Sequence, residues 1–596
     1  MVAPLFLVQK ILLWFQKMRI RYVRAGAPSG GNGTKCYPYN SLAKAQAKAH
    51  RWTTLVVLPS HNVLCGSLVL RDGQEVVGIK RDRARLSNPD ATLNNGDVIV
   101  TNGDNKLKNL SIVGAARCGV EALNADNLKI ENCSFAHTNP GDIKFPSDIK
   151  PQFFTSFVEM RSWPAISFHG GATKTDATVT DPRRLQPLNT RPRGKLTLHK
   201  CTFTDNAADV LVGAGDMLSP VEVASASARR EYDIHHCTFS NSRSDSVVTL
   251  VGSGGRVSGQ VHRCAFDQHV QTGVSLDQIY VDETEFPGRG NYQWGVNQVS
   301  KCTFTRCLEP VFVRFNGFLE APGAVVDIVK CHAREFGRVP ATPTVPSVTT
   351  VIEPFEEAAA ININVDVNNP GGTFEANVRL AHNHIVDTTG RMTGMRNIYF
   401  GKSPLIHYEV CDNHIAGTTI ALAPVQFTAR PVITPIGRGT YDIHHNVIEN
   451  VDSALVTGVR VPFERMAIRA HHNCFQNTGA RNAPPIQQPP FDNGSYYGAT
   501  LVMGGVANTA FEELFPNGDL GNFTMDFGGG PLESPGQNSF INTTGAHTWV
   551  TPLLTFWAAH NWFNNVPPLD AGAGGAAVFE PQLESGPDQC PGKCEK

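Results

Sequence analysis

The sequence has no excess of charge of either sign. Among its 596 residues, 52 are Lys or Arg and 53 are Asp or Glu, which leaves a formal net charge of −1. A protein that attracts nucleic acid or an anionic membrane through its overall field needs a much larger net charge. The composition therefore argues against nucleic acid as a partner.

The sequence also lacks a long apolar run and a convincing export signal. The apolar segments Leu5–Val8 and Ile11–Phe15 are separated by polar residues, no basic residue precedes them, and no small-residue cleavage site follows. They are too short to span a membrane and make a poor signal peptide. We expect an N-terminal extension over residues 1–18, with Met1 or Met18 as the natural start, and no transmembrane segment. Synthesis in the cytosol, followed by assembly into a particle or by non-classical export, fits this pattern.

Several short motifs that indicate a particular enzyme activity are missing from the sequence. There is no P-loop, dinucleotide fingerprint, nucleophile elbow or HExxH pattern. The 14 cysteines include one tight pair, Cys590 and Cys594, which has no nearby histidine or second pair and is weak evidence for zinc. Function must therefore be sought in the larger organisation of the chain.

A short phrase recurs along most of the chain. Alternating apolar positions lead to Cys or Asn, and an apolar residue, often Phe, follows one or two positions later. The phrase centres on Cys133, Cys201, Cys237, Cys264, Cys302, Cys331, Asn383, Asn413, Asn446, Asn473, Asn538 and Asn561. Copies such as Cys237 and Cys264 or Asn446 and Asn473 are 27 residues apart. A period in the twenties with strand-like alternation predicts a β-solenoid with about three short strands in each coil.

The Cys or Asn of each copy is predicted to occupy a sharp bend between two strands. There the side chain points inward and meets its equivalent in the next coil. Asn forms a hydrogen-bonded ladder at such a position, and Cys fills it as a small buried hydrophobe. We therefore predict that Cys201, Cys237, Cys264, Asn446 and Asn473, and likewise Cys302, are buried and unreactive.

The beginning of the chain resembles a known superfamily. Ile20–Gly26, Gly30–Thr34, Pro38–Leu42 and an Ala-rich segment reaching His50 resemble the opening of pectin-lyase-like β-helix proteins. The resemblance covers residues 19–566 and implies an all-β fold, a single-stranded right-handed parallel β-helix. It does not imply one activity, because the superfamily includes lyases, hydrolases, epimerases, tailspikes, adhesins and non-catalytic shells.

Around this solenoid the sequence predicts a cap helix and several irregular segments. The cap helix is expected near Ser41–Arg51. Proline-rich or glycine-rich stretches that break the rhythm predict insertions around residues 136–195, 336–358 and 477–535, and an irregular tail over 567–596. Such insertions either form the walls of a binding groove or are decoration.

Chemistry in this superfamily commonly lies on the sheet made by the first strand of each coil. Candidate first strands are Gly119–Ala122, Asp209–Val212, Gly273–Asp277, Val311–Phe315 and Asn397–Phe400. Alternation predicts an outward row, with one lysine just past a strand end. The row consists of Glu121, Ser275, Asp277, Phe312, Arg314 and Tyr399, and the lysine is Lys402.

This row suits an acidic polysaccharide. Aromatic faces stack on sugar rings, and cations pair with uronate carboxylates. We assign catalytic roles to Lys402 as base, Arg314 as carboxylate partner and Asp277 as acid, base or calcium ligand, and substrate contacts to Tyr399 and Phe312. Glu121 is a further substrate-contact candidate. No cofactor is certain, and calcium is the one candidate. The alternative is that the row is an ordinary solvated surface.

Two functions of different classes remain open. The first is a β-helix that binds, and as a polysaccharide lyase cleaves, an acidic polysaccharide or surface glycan. The second is a non-catalytic virion spike, tailspike or surface fibre, which would be a trimer if tailspike-like. The adjacent Asp pair and Gly-His-Gly of polygalacturonases are absent, as is the Asp-Pro-His-Glu signature of uronan epimerases. These absences leave catalysis uncertain.

The sequence also contains histidine pairs that recur at one position of the repeat. Tyr232–His236 and Tyr441–His445 are nearly identical phrases, and both end in a histidine pair just before the bend. Repetition by architecture and a metal centre are alternative explanations, and the identical position in the repeat favours architecture.

Overall fold

The computed structural model describes 19–101, 103–123, 125–143, 162–170, 193–214, 228–251, 255–278, 293–315, 324–337, 358–365, 375–387, 393–399, 405–426, 436–457, 463–479, 499–503, 521–550, 554–564, 567–570 and 575–586. The predicted extension over 1–18, the Cys590 and Cys594 pair, and most of the three predicted insertions lie outside the described residues. The chain divides into two compact units, residues 1–271 (unit 1) and 272–596 (unit 2).

The described strands of unit 1 form three parallel sheets, numbered by their order within a coil. Sheet 1 contains β4 (Leu68–Val69), β7 (Ile99–Thr101), β10 (Val120–Leu123), β13 (Ile166–Gly170), β16 (Val210–Ala214) and β19 (Val247–Val251). Sheet 2 contains β1 (Arg19–Val23), β2 (Thr53–Val57), β5 (Glu75–Gly78), β8 (Asn105–Lys108), β11 (Asn127–Glu131), β14 (Arg193–His199), β17 (Ala228–His235) and β20 (Gly255–His262). Sheet 3 contains β3 (Leu64–Cys65), β6 (Arg85–Ser87), β9 (Ser111–Val113), β12 (Ser134–Ala136), β15 (Thr202–Thr204), β18 (Thr238–Ser240) and β21 (Ala265–Asp267).

The described strands of unit 2 follow the same plan. Sheet 1 contains β22 (Thr272–Gln278), β25 (Glu309–Phe315), β28 (Ala359–Val365), β31 (Thr393–Tyr399), β34 (Ile420–Gln426), β37 (Ser453–Thr457), β40 (Ala499–Met503) and β43 (Ala546–Val550). Sheet 2 contains β23 (Gln293–Ser300), β26 (Ala324–Val329), β29 (Glu375–Ala381), β32 (Leu405–Cys411), β35 (Ile436–His444), β38 (Phe463–His471), β41 (Gly521–Asp526), β44 (Thr555–Trp557) and β45 (Ala576–Val578). Sheet 3 contains β24 (Thr303–Thr305), β27 (His332–Arg334), β30 (His384–Val386), β33 (His414–Ala416), β36 (Val447–Glu449), β39 (Cys474–Gln476) and β42 (Ser539–Ile541).

Each coil is a strand of sheet 1, a strand of sheet 2, the bend and a strand of sheet 3. Because parallel strands joined by crossovers turn right-handedly, both units are right-handed parallel β-helices, and the predicted fold class is confirmed. The strand β45 pairs with β44 and lies beyond residue 566, where the sequence analysis ended the solenoid.

The predicted cap helix is present as α1 (Leu42–Lys48), the one α-helix among the described residues. Ser41 is its N-cap, and the Ser41 hydroxyl accepts a hydrogen bond from the backbone N–H of Lys44 at 3.3 Å. Leu42 and Ala45 are the buried residues of the helix. Among the described residues, no helix has the length and apolar character that crossing a membrane requires.

The bend between sheets 2 and 3 has a backbone feature that the repeat phrase did not reveal. The residue before each of the twelve Cys or Asn positions has a positive φ, between 51° and 60°; these residues are Asn132, Lys200, His236, Arg263, Lys301, Lys330, His382, Asp412, His445, His472, Gln537 and His560. Such a conformation is uncommon outside glycine. Hydrogen bonds between coils hold it, as when the Asn132 N–H donates to the His199 carbonyl at 2.9 Å.

In unit 2 the predicted asparagine ladder is present. Asn446 is buried; its Nδ2 donates to Asn473 Oδ1 at 2.9 Å and to the Val410 carbonyl at 2.8 Å. Its own Oδ1 accepts from both Nδ2 and the backbone N–H of Asn413, at 2.9 and 3.0 Å. The same pattern runs through Asn383, Asn413, Asn446, Asn473, Asn538 and Asn561. Each coil therefore satisfies buried polar groups of its neighbour.

In unit 1 cysteine takes the same position. Cys201, Cys237 and Cys264 are at most 2% exposed, and the Cys237 thiol donates to the His235 carbonyl at 3.4 Å. Burial raises the pKa of Cys201 and Cys237 well above the usual range, which keeps the thiols protonated. Phenylalanines stack beside them in sheet 3, with centroid distances of 5.0, 4.7 and 4.8 Å along Phe135, Phe203, Phe239 and Phe266. The predicted inward orientation is confirmed.

The buried cysteine position leads to a first prediction. Cys237→Ser should lower the free energy of unfolding by ~1–3 kcal/mol, because it buries a hydroxyl whose partner geometry was set by a longer thiol. Urea denaturation measures the change, and Cys65→Ser, at an exposed cysteine, is the control with little expected effect. Native-state labelling of Cys237 by a thiol reagent as fast as Cys65 would contradict its burial.

The asparagine ladder leads to a second prediction. Asn446→Cys leaves two donors of Asn413 without their acceptor, whereas Asn383, at the end of the ladder, accepts from the backbone N–H of Cys331. Asn446→Cys should therefore cost ~1–2 kcal/mol more than Asn383→Cys. Equal losses in parallel denaturation curves would show that the ladder contributes no cooperativity between coils.

Candidate functional site

The outer face of sheet 1 in unit 2 brings three of the predicted residues together. Leu276 in β22 pairs with Val313 in β25, so the following residues, Asp277 and Arg314, share the opposite face. The Arg314 Nε lies 3.7 Å from Asp277 Oδ1, and the Arg314 guanidinium lies 5.0 Å from the centroid of the Phe312 ring. Coil register, rather than sequence proximity, makes this contact.

The same residues are not exposed. Asp277 is 1%, Arg314 7% and Phe312 8% exposed, and Ser275 and Glu121 are also buried. The prediction that the outward row faces solvent is therefore wrong. Alternation indicates which side chains leave the core side of a strand, but it carries no information about what covers the other side.

The buried polar face extends to residues that the sequence analysis missed. The strand register aligns Phe312 with Asn362 and Asn362 with Arg396. Asn362 Nδ2 donates to Glu309 Oε1 at 2.8 Å, Arg396 Nε donates to Asn362 Oδ1 at 3.3 Å, and Arg396 Nη2 lies 3.6 Å from Glu309 Oε1. These residues come from three coils, so no local motif marks them.

Two predicted residues are not placed with Arg314. Lys402 lies outside the described residues. The register pairs Tyr399 with Val365 and Val365 with Phe315, while the row of Arg314 continues through Asn364 to Ile398. In the backbone register, the prediction that Tyr399 is aligned with Arg314 is therefore wrong, and the Tyr399 side chain lies outside the described residues.

The error at Tyr399 arises from a polar residue in the core. Alternation in the sequence predicts the apolar Ile398 on the inner face, although the inner row at this level contains Asn397, which pairs with Ile363. Asn397 is buried, and its Nδ2 donates to the Tyr441 hydroxyl of sheet 2. The Tyr441 hydroxyl in turn donates to the Pro424 carbonyl at 2.6 Å. The hydrogen bond to Tyr441 helps to hold this polar side chain inside, and the inward Asn397 inverts the apparent alternation.

Unit 1 carries a second buried charged cluster, built around Glu121. Arg117 donates to Asp97 from Nε at 2.9 Å and from Nη2 at 2.5 Å, and Arg117 Nη2 lies 3.7 Å from Glu121 Oε2. His169 Nε2 lies 3.1 Å from Glu121 Oε1. The Trp163 ring lies 4.2 Å from the Arg117 guanidinium. An imidazole–carboxylate pair beside a fixed cation is an arrangement that holds and transfers protons.

The electrostatics of this cluster depend on burial. Burial raises the pKa of Asp97 to about 6, against the opposing influence of Arg117. Burial opposes the charge of Arg117, but the carboxylates of Asp97 and Glu121 raise its pKa overall. Of this cluster, alternation in the sequence indicates Glu121 alone, because Asp97, Arg117 and His169 come from separate coils or turns and meet only in the folded chain.

Neither cluster fits the calcium site that the sequence analysis considered. Ca²⁺ takes six to eight oxygen ligands. The Asp277 carboxylate faces the Arg314 guanidinium. The ligand atoms of Asp97, Cys118 and Glu121 lie close together, but the Arg117 guanidinium already contacts the carboxylates of Asp97 and Glu121. In both clusters an arginine side chain, Arg314 or Arg117, already supplies the positive charge.

Comparison with known proteins yields fold-level likeness alone. No protein-family model matches the chain, and no curated protein matches it. Among solved structures, it is similar to a GH136 lacto-N-biosidase from Eubacterium ramulus, with 11% identity, 78% of this chain and 69% of that chain covered, and a TM-score of 0.28. It is also similar to the PL6 family alginate lyase AlyGC, with 8% identity, 94% and 99% coverage, and a TM-score of 0.20. At these scores neither likeness carries an argument.

Proposed function

We propose that the protein binds an acidic polysaccharide at the outer face of sheet 1 in unit 2, with Arg314 as the partner of a uronate carboxylate. The observation that supports this is a contrast between two outer faces. On sheet 2 the pair Arg379–Glu409 is exposed, at 45% and 47% of the side-chain surface. On sheet 1 the pair Asp277–Arg314 is 2% and 9% exposed.

Buried charged side chains are costly for stability, so their presence on this face calls for an explanation. Removing an ion pair from water costs several kcal/mol per ion, and apolar residues of similar volume are often at least as stabilising. A shaft whose only task is stability has no need for the buried Asp277, Arg314 and Arg396 on one face. Buried ionic groups at a defined register are typical of functional sites.

The chemistry of the face matches a uronate. The planar fork of a guanidinium matches the geometry of a carboxylate. Arg314 is thus suited to hold a sugar carboxylate while Asp277 orients it, and the Phe312 ring supplies an apolar surface for a sugar face.

Cleavage is the finer proposal. In β-elimination a base removes the C5 proton, the bond from C4 to the glycosidic oxygen breaks, a C4–C5 double bond forms, and the leaving oxygen takes up a proton from water. Pairing of the carboxylate with Arg314 stabilises the negative charge that develops next to C5. Lys402 is our proposed base, and Tyr399 remains a proposed substrate contact.

A non-catalytic structural role, in a virion spike, tailspike or surface fibre, is the second candidate. The observation that favours it is the low exposure of Phe312 and Arg314, 8% and 7%. In that case the ionic face joins coils and contacts no ligand. The two candidate functions predict different effects on polymer binding when the charges of Asp277 and Arg314 are removed.

The third prediction uses a charge-neutral double variant. Arg314→Met alone should lower the unfolding free energy by ~3–5 kcal/mol, because Asp277 stays buried beside an apolar side chain. Asp277→Asn with Arg314→Met should recover much of that loss and still abolish binding to uronic-acid polymers. Denaturation and binding to polyuronate and neutral polymers are measured in parallel.

The matched control is Glu409→Gln with Arg379→Met, which neutralises an Arg–carboxylate pair on sheet 2. It should leave both stability and polyuronate binding close to wild type. Full polyuronate binding by the Asp277/Arg314 double variant would exclude this binding face and favour the structural role.

The fourth prediction concerns turnover. The wild-type protein should release unsaturated products from at least one uronic-acid polymer, detected by their ultraviolet absorbance. Lys402→Ala should reduce the rate by ~10²–10⁴-fold, the usual contribution of a general base, with polymer binding retained. Wild-type binding without product from a full polymer panel would limit the function to recognition.

A further inference from the structure

Histidines form a cluster on the outer face of sheet 2 in unit 1, beside the bend. His199, His235 and His262 end three successive strands and pair with one another in register. The rings of His199 and His235 stack at 4.4 Å, and those of His235 and His262 at 5.1 Å. His236 follows at the bend, with φ 56°, and its ring stands nearly perpendicular to those of His199 and His235.

This arrangement makes ring nitrogens converge. One nitrogen from each of His199, His235 and His236 lies within 4.8 Å of the other two, and the Nδ1 atoms of His235 and His236 are 3.1 Å apart. Two nitrogens bound at 2.0–2.1 Å to a tetrahedral zinc ion are about 3.4 Å apart. Small rotations of exposed or half-buried rings are enough to reach that geometry.

We propose that His199, His235 and His236 bind one divalent transition-metal ion of the zinc class, with water completing its coordination. Imidazole nitrogens are the preferred ligands of Zn²⁺, Ni²⁺ and Cu²⁺. His199 and His235 are half-buried and His236 is exposed, so an ion reaches them from solvent. The ion joins β14 to β17 and to the bend that follows β17, and so links two successive coils.

The surroundings favour metal-competent imidazoles. Burial, together with neighbouring His and Lys side chains, lowers the pKa of His199, and burial likewise lowers that of His235 despite the opposing charge of Asp233. Neutral rings keep the lone pair that a metal needs. Asp233 lies two residues before His235 on the same face and accepts a hydrogen bond from Gln260 at 3.2 Å. It supplies negative charge near the site.

The histidines of unit 2 provide an internal comparison. Tyr441–His445 repeats the phrase, and Nδ1 contacts of 2.8 Å join His444 to His445 and His471 to His472. However, the stacked rings are 5.2 and 5.0 Å apart, and the coil before His444 has Cys411 in the register position where unit 1 has His199. If the histidines only reflect the repeat, the two clusters should bind zinc equally. A metal site at His199, His235 and His236 predicts that the cluster of unit 1 binds zinc more tightly than that of unit 2.

The other candidate ligand sets among the described residues are less suitable. Glu409, Cys411 and His444 approach one another, but burial raises the pKa of Cys411 to about 12, so the thiol retains the proton that a metal must displace. Asp97, Cys118 and Glu121 already surround the Arg117 cation.

The experiment titrates Zn²⁺ into the chelator-stripped full-length chain, in competition with a chromophoric chelator at pH 7.5. The test variant is His199→Gln with His236→Asn, since Asn tolerates the left-handed conformation at 236. The control variant, His471→Gln with His472→Asn, makes the matched changes in unit 2. We expect wild type and control to bind one ion with equal affinity, and the test variant to lose at least tenfold in affinity.

Co²⁺ absorption and melting temperature provide independent readouts. Wild type and control should show ligand-field bands from bound imidazoles and a zinc-dependent rise in melting temperature, and the test variant neither. Equal zinc affinity in wild type and test variant, or loss confined to the control, would overturn the proposal. Should circular dichroism show that the double variant is unfolded, exposed His236→Asn alone decides: unchanged affinity would overturn the site.

Discussion

The stacking of coils in register is the constraint on which the rest of the structure depends. Each coil is too thin to bury its own apolar face, and it leaves buried amides and carbonyls that only the next coil can satisfy. At the bend this dependence is most direct, because Asn446 donates to Asn473 and to Val410 while it accepts from Asn413. A shift of one residue would break these bonds and turn every core side chain outward.

Register also decides which distant residues become neighbours. It places Asp277 beside Arg314 and Asn362 beside Arg396 on sheet 1, and it stacks His199 on His235 on sheet 2. On sheet 1 of unit 2 the pair Asp277–Arg314 is buried, whereas on sheet 2 the pair Arg379–Glu409 is exposed. A buried ionic face is suited to selective recognition because its groups are held in place, whereas the half-buried and exposed imidazoles of His199, His235 and His236 can be reached by an ion from solvent.

The core was predictable because its signal repeats. Identical positions must meet in successive coils. This is why apolar residues alternate before Cys237, why Phe239 follows it, and why Cys264 comes one period later. The candidate site was predictable only in part. Asp277, Arg314 and Phe312 follow from alternation within strongly apolar strands, but Arg396 was missed and Tyr399 misplaced, because the inward Asn397 disguised the alternation of β31.

The sequence by itself determined the fold class, the cap helix and the ladder at the bend, since each depends on local alternation and a short recurrent phrase. Tertiary structure decided the burial of the outward row and the meeting of Asp97, Arg117, Glu121 and His169. It also decided the convergence of the three histidines. The physical reason is that burial and contact across coils depend on the exact number of residues in each intervening loop, and alternation within one strand carries no record of that number.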